Sequence, residues 1–207
     1  MNNLVLYGAG GLGREIKSLV DALPEWQVMG FFDDGVPGST VINGVPVLGG
    51  FDRLKKIKDL NLVLAIGSPK LKSTILVRLA GLDVTFPILK HPSVIIQDVD
   101  RVKIGTGCVL TAGVVVTTDV EIGRHVLLNL NCTIGHDVRI GDCSSIMPGV
   151  NIAGNVVIGN NVLIGSGANI LNGVQIDDNA TVGAGAVVTQ NVPAGKTVVG
   201  VPAKPIN

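Results

Sequence analysis

The sequence predicts a small α/β unit followed by an all-β solenoid, and three observations carry this prediction. Strand and helix patterns alternate over the first part of the chain. All six aromatic residues lie at or before Phe86, and the remaining 121 residues contain none. From Ile104 onward, fifteen consecutive positions spaced six residues apart are all aliphatic. An α-helix repeats every 3.6 residues, so a period of six indicates a different, repetitive architecture.

The overall composition argues against several functional classes. The chain has 207 residues, with 16 Lys+Arg against 16 Asp+Glu, whereas a nucleic-acid-binding protein usually carries a basic excess. No apolar run is long enough for a transmembrane helix, and the first residues lack the pattern of a signal peptide. The three cysteines form no CxxC motif, which favours a reducing compartment and no structural zinc. We therefore expect a cytoplasmic protein without a membrane span, a nucleic-acid partner or a metal.

The first part of the chain has the pattern of a parallel sheet with helices. Apolar stretches predict strands over residues 4–7, 27–32 and 61–66. Apolar residues at helical spacing predict helices over 14–23 and from about 69 to 80. This alternation is typical of an α/β unit.

A glycine-rich turn joins the first strand to the first helix. Gly8, Gly10 and Gly13 have the GxGxxG spacing, and Asp33 follows 20 residues after Gly13. Without Cβ atoms the backbone can approach a phosphate closely, and the helix N-terminus adds N–H donors. The pattern predicts a nucleotide or phosphate site, although glycines also serve tight strand–helix packing alone. The motif would suit NAD, but about 90 residues hold only half of a dinucleotide fold, which favours a single nucleotide.

The second part of the chain is a continuous six-residue repeat. Its large aliphatic position runs from Ile104 to Val188, and the position two residues earlier is always small or Val. Gly, Asn and Asp are frequent between them, as tight turns require. The pattern predicts coils of short strands, each unit pointing one large and one small residue inward. A narrow interior of this kind has no room for stacked aromatic rings.

The repeat resembles the hexapeptide [LIV]-G-x-x-[STAV]-x of left-handed parallel β-helix acyltransferases. The resemblance implies that three hexapeptides form one triangular coil, which gives five coils over residues 104–193 and a partial coil before them. Proteins of this class are usually trimers with active sites between subunits. We therefore expect a homotrimer.

Motifs along the whole chain resemble a narrower family, the bacterial nucleotide-aminosugar N-acetyltransferases and sialic acid O-acetyltransferase-like proteins of the PglD/NeuD type. The motifs lie at Gly8–Gly13, Asp33–Asp34, Ala65–Gly67, His91–Ser93 and Val199–Pro205. The resemblance implies a Rossmann-like nucleotide-sugar-binding domain over residues 1–90 and a left-handed β-helix acetyltransferase domain over residues 91–207, including a C-terminal loop. It further implies acetyl-CoA as cosubstrate and a nucleotide-linked, usually UDP-linked, aminosugar as acceptor.

The candidate catalytic pair is His136 with Asp137. A lone histidine on a solenoid is as often a surface or interface residue, but the adjacent carboxylate can orient the imidazole. The resemblance implies that His136 is the general base, although many family members have Glu at the position of Asp137.

Cys108 and Cys132 occupy the small inward positions of the repeat and are interpreted as packing residues.

The resemblance also implies the binding residues at both ends of the site. On the coenzyme A side these are Asn129, Gly154, Ser166, Ala184 and Lys204, together with Ser145, which stands where some members have a second histidine. On the nucleotide side they are Gly8, Gly10, Gly11, Leu12, Gly13, Asp33, Asp34, Gly67 and Ser68, with Leu12 where several members have His.

The implied reaction is direct transfer: the sugar amine attacks the thioester, His136 takes a proton, and Asn129 or a backbone N–H stabilises the oxyanion. Four alternatives stay open. The nearest is O-acetylation of a sialic acid-type sugar. The others are a hydratase of the γ-carbonic anhydrase type, an NAD-linked oxidoreductase and a non-catalytic sugar-nucleotide-binding protein. The hydratase needs three converging histidines, whereas the repeat has His125 and His136.

Overall fold

The computed structural model describes residues 1–206 and confirms an α/β unit followed by a parallel β-helix. The unit contains six strands, β1 (Asn2–Tyr7), β2 (Trp26–Phe32), β3 (Val41–Ile42), β4 (Val45–Gly49), β5 (Leu60–Leu64) and β6 (Val84–Thr85), and three helices, α1 (Gly11–Asp21), α2 (Phe51–Leu54) and α3 (Pro69–Leu79).

The sheet of the α/β unit has the order β3-β4-β2-β1-β5-β6 and is parallel except for the β3–β4 hairpin. From β1 the chain crosses to β2 on one side and returns to β5 on the other. The carboxyl ends of β1 and β5 therefore flank the point where the strand order reverses, which is where open α/β sheets bind ligands. The β3–β4 hairpin was not predicted, although Asn43-Gly44 marks its turn and both residues have positive φ.

The β-helix has three faces of two- or three-residue strands. The first face holds β7 (Leu89–Lys90), β10 (Val109–Leu110), β13 (Leu127–Leu128), β16 (Ser145–Ile146), β19 (Leu163–Ile164), β22 (Thr181–Val182) and β24 (Thr197–Val199), with β25 (Lys204–Ile206) antiparallel to β24. The second face holds β8 (Ile95–Ile96), β11 (Val115–Val116), β14 (Thr133–Ile134), β17 (Asn151–Ile152), β20 (Asn169–Ile170) and β23 (Val187–Val188). The third holds β9 (Lys103–Ile104), β12 (Glu121–Ile122), β15 (Arg139–Ile140), β18 (Val157–Ile158) and β21 (Gln175–Ile176).

From β9 to β23 each coil takes 18 residues, as three hexapeptides require: Val115 pairs with Thr133, and Thr133 with Asn151. The chain turns from the first face to the second at what we call the first corner. It turns to the third face at the second corner and back to the first face at the third corner. The first coil ends at Ile104 and is complete rather than partial as predicted, because β7, β8 and β9 all pair with the next coil. A short 3-10 helix at Val99–Arg101 lengthens that first coil.

The interior of the β-helix is a column of small and aliphatic side chains, as predicted. Val114, Ile134 and Ala168 illustrate the pattern, each at most 1% exposed. One residue in every turn has a positive φ, at intervals of six residues from Gly107 to Gly185. Glycine or a short polar residue tolerates this left-handed conformation best. The repeat therefore specifies both the core and the turns.

The α/β unit packs on the outer side of the first face. Leu89, Val109 and Leu127 of this face share one apolar cluster with Ile16 and Leu19 of α1. At the other side of this contact, α3 lies against the third corner, where Ser73 donates a hydrogen bond to Asn161. The first face thus carries the α/β unit between the first and third corners.

Lys72 of α3 is buried in this interdomain contact, with 2% of its surface exposed. Its Nζ donates to the backbone oxygens of His125 (2.8 Å) and Ser144 (3.1 Å). Burial lowers the pKa of Lys72 to about 8, an effect that the nearby thiols of Cys143 and Cys108 partly oppose. The ammonium group therefore links the two parts of the chain through two turns of the β-helix.

Two further features follow from the fold. Over residues 1–206, no helix has the length and apolarity needed to cross a membrane. Cys108 and Cys132 are fully buried in the β-helix core, which confirms that they are packing residues.

The buried ammonium of Lys72 predicts a specific pH dependence of stability. Its pKa is lower in the folded chain than in the unfolded chain, so the unfolded state binds the proton more strongly between pH 8 and the ordinary lysine pKa of 10.5. The free energy of unfolding should rise by roughly 2 kcal/mol over this range relative to Lys72→Met. Denaturant titrations at several pH values measure this difference, with Lys70→Met on the exposed side of α3 as control. Equal pH dependence of Lys72→Met and the wild type would contradict the assignment.

Candidate active site

The reversal point of the α/β sheet opens into a cavity of about 310 Å³. The ends of β1, β2 and β5 form one wall, and α3 forms the other. The lining includes Tyr7, Gly8, Asp33, Asp34, Ile66 and Arg78. The sequence-predicted nucleotide residues Gly8, Asp33 and Asp34 are thus brought together.

Asp33 holds the glycine turn in place. One carboxylate oxygen accepts a hydrogen bond from the backbone N–H of Ala9, and the other accepts one from Gly35, both at 2.8 Å. The carboxylate therefore ties the turn after β1 to the loop after β2.

Asp34 is the centre of a second polar group, of which the sequence predicts only Asp34 itself. Its carboxylate accepts from the Phe51 N–H (2.7 Å), the Tyr7 hydroxyl (2.8 Å) and Arg78 (2.9 Å). The Phe51 N–H and these other donors hold the pKa of Asp34 below its usual range. Burial and then the hydrogen bond to Asp34 raise the pKa of Tyr7.

The guanidinium of Arg78 lies 4.0 Å from the ring centroid of Phe51. Arg78 is 44 residues from Asp34, so no local motif indicates the pair. The ion pair with Asp34 fixes the guanidinium beside the cavity, where its other N–H groups can donate to a ligand.

The glycines of the turn have two different roles. A Cβ at Gly8 would lie 2.6 Å from the backbone oxygen of Ala65, and one at Gly13 would overlap that of Gly8. These two glycines are required by strand–helix packing. A Cβ at Gly10 would meet no atom within 4 Å, and one at Gly11 only the end of Arg14. The backbone at Gly10 and Gly11 is therefore open to a ligand.

The remaining residues predicted on the nucleotide side lie at the edge of this region. Ser68 caps α3, accepting a hydrogen bond from the N–H of Leu71 at 3.4 Å. A Cβ at Gly67 would lie 3.2 Å from Met147 of the β-helix and 3.8 Å from Leu12. Gly67 and Leu12 thus border the contact with the β-helix.

The second corner carries the candidate catalytic pair. His136 Nδ1 lies 2.8 Å from Asp137 Oδ2, and both side chains are about half exposed, at 55% and 53%. Asp137 has a φ of 60°, a conformation that Asp tolerates better than most residues. A Cβ at Gly154, one coil further on, would overlap the imidazole of His136 at Nε2. The absence of a side chain at Gly154 therefore makes room for the imidazole.

Asn129 lies at the first corner in the same coil as His136 and is only 5% exposed. Its Oδ1 accepts from the N–H of Leu130 (2.8 Å) and the hydroxyl of Thr111 (3.4 Å). Both side-chain hydrogen bonds that Asn129 makes within residues 1–206 use this oxygen. Its amide N–H groups are therefore available to a ligand.

The predicted coenzyme A residues divide between two corners. Ser166 and Ala184 lie at the first corner, in the same column as Leu130 and one and two coils beyond Pro148, while Gly154 lies at the second. Lys204 is exposed in β25, at the far end of the first face. A single chain therefore does not bring all the predicted coenzyme A residues close to His136.

Ser145 lies on the first face beneath the α/β unit. It is fully buried, and its Oγ has no hydrogen-bond partner. The contact of Ser145 with coenzyme A stays a prediction. Such a contact would require the coenzyme to reach between the α/β unit and the β-helix.

The three histidines of the chain lie at three different corners. His91 is at the first corner and His136 at the second. His125 is buried at the third corner, where its ring meets Phe86 edge-on at 4.7 Å. Burial, reinforced by Lys72, lowers the pKa of His125 to about 4. In the part of the chain described, no group of three or more His, Cys, Asp or Glu side chains is arranged to hold a metal ion.

Comparisons with known proteins match both parts of the chain. The PglD N-terminal domain matches residues 3–79. The bacterial transferase hexapeptide (six repeats) matches residues 155–190, and the hexapeptide repeat of succinyl-transferase matches residues 102–118. A search of curated proteins found no match.

Solved structures match along the whole chain. The acetyltransferase domain of PglB from Neisseria gonorrhoeae is 32% identical, with 100% of each chain covered and a TM-score of 0.92. This chain belongs to the PglD/NeuD type of sugar acetyltransferases. WeeI from Acinetobacter baumannii is 33% identical over 99% of this chain and 100% of its own, with a TM-score of 0.87. PerB from Caulobacter crescentus, in complex with CoA and GDP-perosamine, is 27% identical over 100% of this chain and 98% of its own, with a TM-score of 0.89.

The two roles of the glycines in this PglD/NeuD-type turn can be separated by substitution. Gly13→Ala should lower the free energy of unfolding by about 2–3 kcal/mol, because the new methyl group meets a backbone oxygen. Gly10→Ala should change it by less than about 0.5 kcal/mol and instead weaken binding of UDP or GDP. Denaturant titration and calorimetry measure the two effects. Equal destabilisation by both substitutions would contradict the distinction.

Proposed function

We propose that this chain transfers the acetyl group of acetyl-CoA to the amino group of a nucleotide-linked aminosugar. Family membership makes it an acetyltransferase with acetyl-CoA as donor. The solved PglB domain is known in complex with acetyl coenzyme A, and PerB with CoA and GDP-perosamine. The observation that carries the proposal is the His136–Asp137 pair, 2.8 Å apart and set over Gly154.

The cavity at the reversal point of the α/β sheet is the proposed nucleotide site. The diphosphate lies at Gly10 and Gly11, where the backbone is open and the N-terminus of α1 supplies N–H donors. Arg78 adds guanidinium N–H donors on the far wall. The sequence resemblance favours UDP as the nucleotide, while the GDP-sugar of PerB makes GDP the second candidate.

His136 is the proposed general base. The Asp137 carboxylate accepts the Nδ1–H of the imidazole, so the Nε2 lone pair is free to take a proton. The neutral sugar amine attacks the thioester carbonyl and forms the C–N bond while His136 removes its proton. The C–S bond then breaks, and the proton passes from His136 to the departing thiolate of coenzyme A.

Asn129 is the proposed donor to the oxyanion, because its amide N–H groups are uncommitted. Asn129 and His136 occupy the same coil at different corners, and the coenzyme A residues Gly154 and Ser166 lie at the second and the first corner of the next two coils. Threefold symmetry about an axis along the β-helix keeps every coil at one height, and with the second face turned to the axis the second corner of one copy meets the first corner of the next. We therefore propose a homotrimer whose sites each combine two subunits.

Three further assignments belong to the proposal. The domains are residues 1–90 and 91–207, and the location is cytoplasmic, which the three free cysteines support. Lys204 and Ser145 are retained as predicted coenzyme A contacts.

O-acetylation remains the alternative reaction, since the same base could act on a hydroxyl group. The choice of acceptor in the assay distinguishes N-acetylation from O-acetylation.

The proposal predicts release of coenzyme A with at least one aminosugar from a panel linked to UDP, GDP or dTDP. His136→Ala should lower kcat by about 10²-fold or more, because it removes the general base. A thiol-detecting assay measures the rate, and an unchanged unfolding midpoint controls for folding. Turnover of only hydroxyl acceptors would favour O-acetylation. Failure of every amine and hydroxyl acceptor would overturn the proposed function.

The shared site predicts complementation between two inactive variants. Homotrimers of His136→Ala and of Asn129→Ala should each lose about 10²-fold or more in kcat. Co-expressed chains assemble at random, and on the order of a quarter of all interfaces then pair an intact His136 with an intact Asn129. Activity should return to a corresponding fraction of the wild-type rate. Mixed trimers without recovered activity would place both residues in one subunit's site.

A further inference from the structure

A second cavity, of about 220 Å³, lies between α1 and the first corner of the β-helix. Glu15 and Ser18 of α1 form one side, and His91, Thr111 and Asn129 of the first corner form the other. Asn129 belongs to the same coil as His136, so in the proposed trimer this cavity opens at the height of a neighbouring base. The cavity therefore lies where acetyl transfer is proposed to occur.

The tautomer of His91 is fixed by its neighbours. The backbone N–H of Ser93 donates to His91 Nδ1 at 3.1 Å, and the Ser93 hydroxyl lies 2.8 Å from the same atom. The Ser93 Oγ in turn accepts from the N–H of Gly113 at 3.0 Å. Because Nδ1 is the acceptor, the proton of the neutral ring lies on Nε2. His91 thus presents a single N–H donor of fixed orientation.

The position of the cavity relative to the glycine turn suits a sugar ring. Glu15 and Ser18 follow Gly11 by four and seven residues along α1, which corresponds to roughly 6–10 Å. A diphosphate at the turn can therefore deliver its attached sugar to this cavity. The volume is below the ~300–1,000 Å³ of pockets that enclose a drug-sized ligand, and the lining combines the apolar side chains of Leu19, Ala112 and Leu130 with a few N–H, hydroxyl and carboxylate groups. Such a lining matches the apolar face and the hydroxyl groups of one monosaccharide ring.

We infer that His91 is a specificity-determining residue, which donates a hydrogen bond from Nε2 to a hydroxyl oxygen of the acceptor sugar. The inference rests on the proposed function, since it concerns the acceptor of that reaction. Ser93 acts through His91 as a positioning residue, because it holds the ring and its tautomer. His136 remains the base, and His91 discriminates among acceptors by the group it binds.

The test compares His91→Phe, which keeps a ring but removes the N–H, with His91→Gln, which restores an N–H donor. Steady-state rates are measured with the best acceptor of the panel and with its deoxy analogues, each lacking one hydroxyl. We expect His91→Phe to raise the acceptor KM about 5- to 10-fold, leave the acetyl-CoA KM unchanged and lose discrimination against one deoxy analogue. His91→Gln should recover part of this discrimination. Ser93→Ala should produce a smaller change of the same kind.

Two outcomes overturn the inference while leaving the proposed function intact. One is that the wild-type enzyme is active and that His91→Phe changes neither the acceptor KM nor the preference among the deoxy analogues. The other is an equal rise in the KM of acetyl-CoA, which would mean a general distortion of the site. If His91→Phe fails to fold, the comparison of His91→Gln and Ser93→Ala with the deoxy analogues decides the question. An inactive wild-type enzyme would instead contradict the proposed function itself.

Discussion

The six-residue period of the β-helix is the constraint on which the rest of the structure depends. Every sixth residue from Gly107 to Gly185 takes a left-handed backbone conformation, and within this range three such turns close a coil of 18 residues. Position in the sequence then determines both the corner and the height of a side chain. His136 and Asn129 are seven residues apart, which places them in one coil but at different corners. The relative positions of the two proposed functional groups therefore follow from this spacing.

This regularity also explains why the site needs more than one element. A narrow triangular coil has no concave interior, so its functional groups lie on exposed corners, as the half-exposed His136 does. A second surface must cover them before water is excluded. The α/β unit covers the first face through Leu127 and its neighbours, and Lys72 anchors α3 at the third corner. The second corner is left uncovered, and the proposed trimer would place a further copy of the chain there.

The sequence predicts the repeat, the α/β unit and the grouping of Gly8, Asp33 and Asp34, because each depends on local spacing. The contributions of Lys72, Arg78 and His91 were not predicted. Lys72 acts only because α3 docks against the third corner, and Arg78 meets Asp34 across a sheet. His91 gains its fixed tautomer from Ser93, but the cavity it lines needs α1 from the other part of the chain. Such contacts depend on packing between elements distant in sequence, which no short motif records.

The geometry of the two aspartates changes the interpretation of the glycine motif. In dinucleotide-binding folds, an acidic residue about 20 residues after the turn hydrogen-bonds the ribose. Here both oxygens of Asp33 already accept backbone N–H groups, and Asp34 is held by three donors. Each Asp33 oxygen accepts one backbone N–H group and keeps a further acceptor site, so Asp33 can hold the turn and still accept a ribose hydroxyl. The motif therefore combines a carboxylate that shapes the turn with a backbone at Gly10 that is open to a phosphate, and in our proposal discrimination between acceptors falls to Arg78 at the nucleotide and His91 at the sugar.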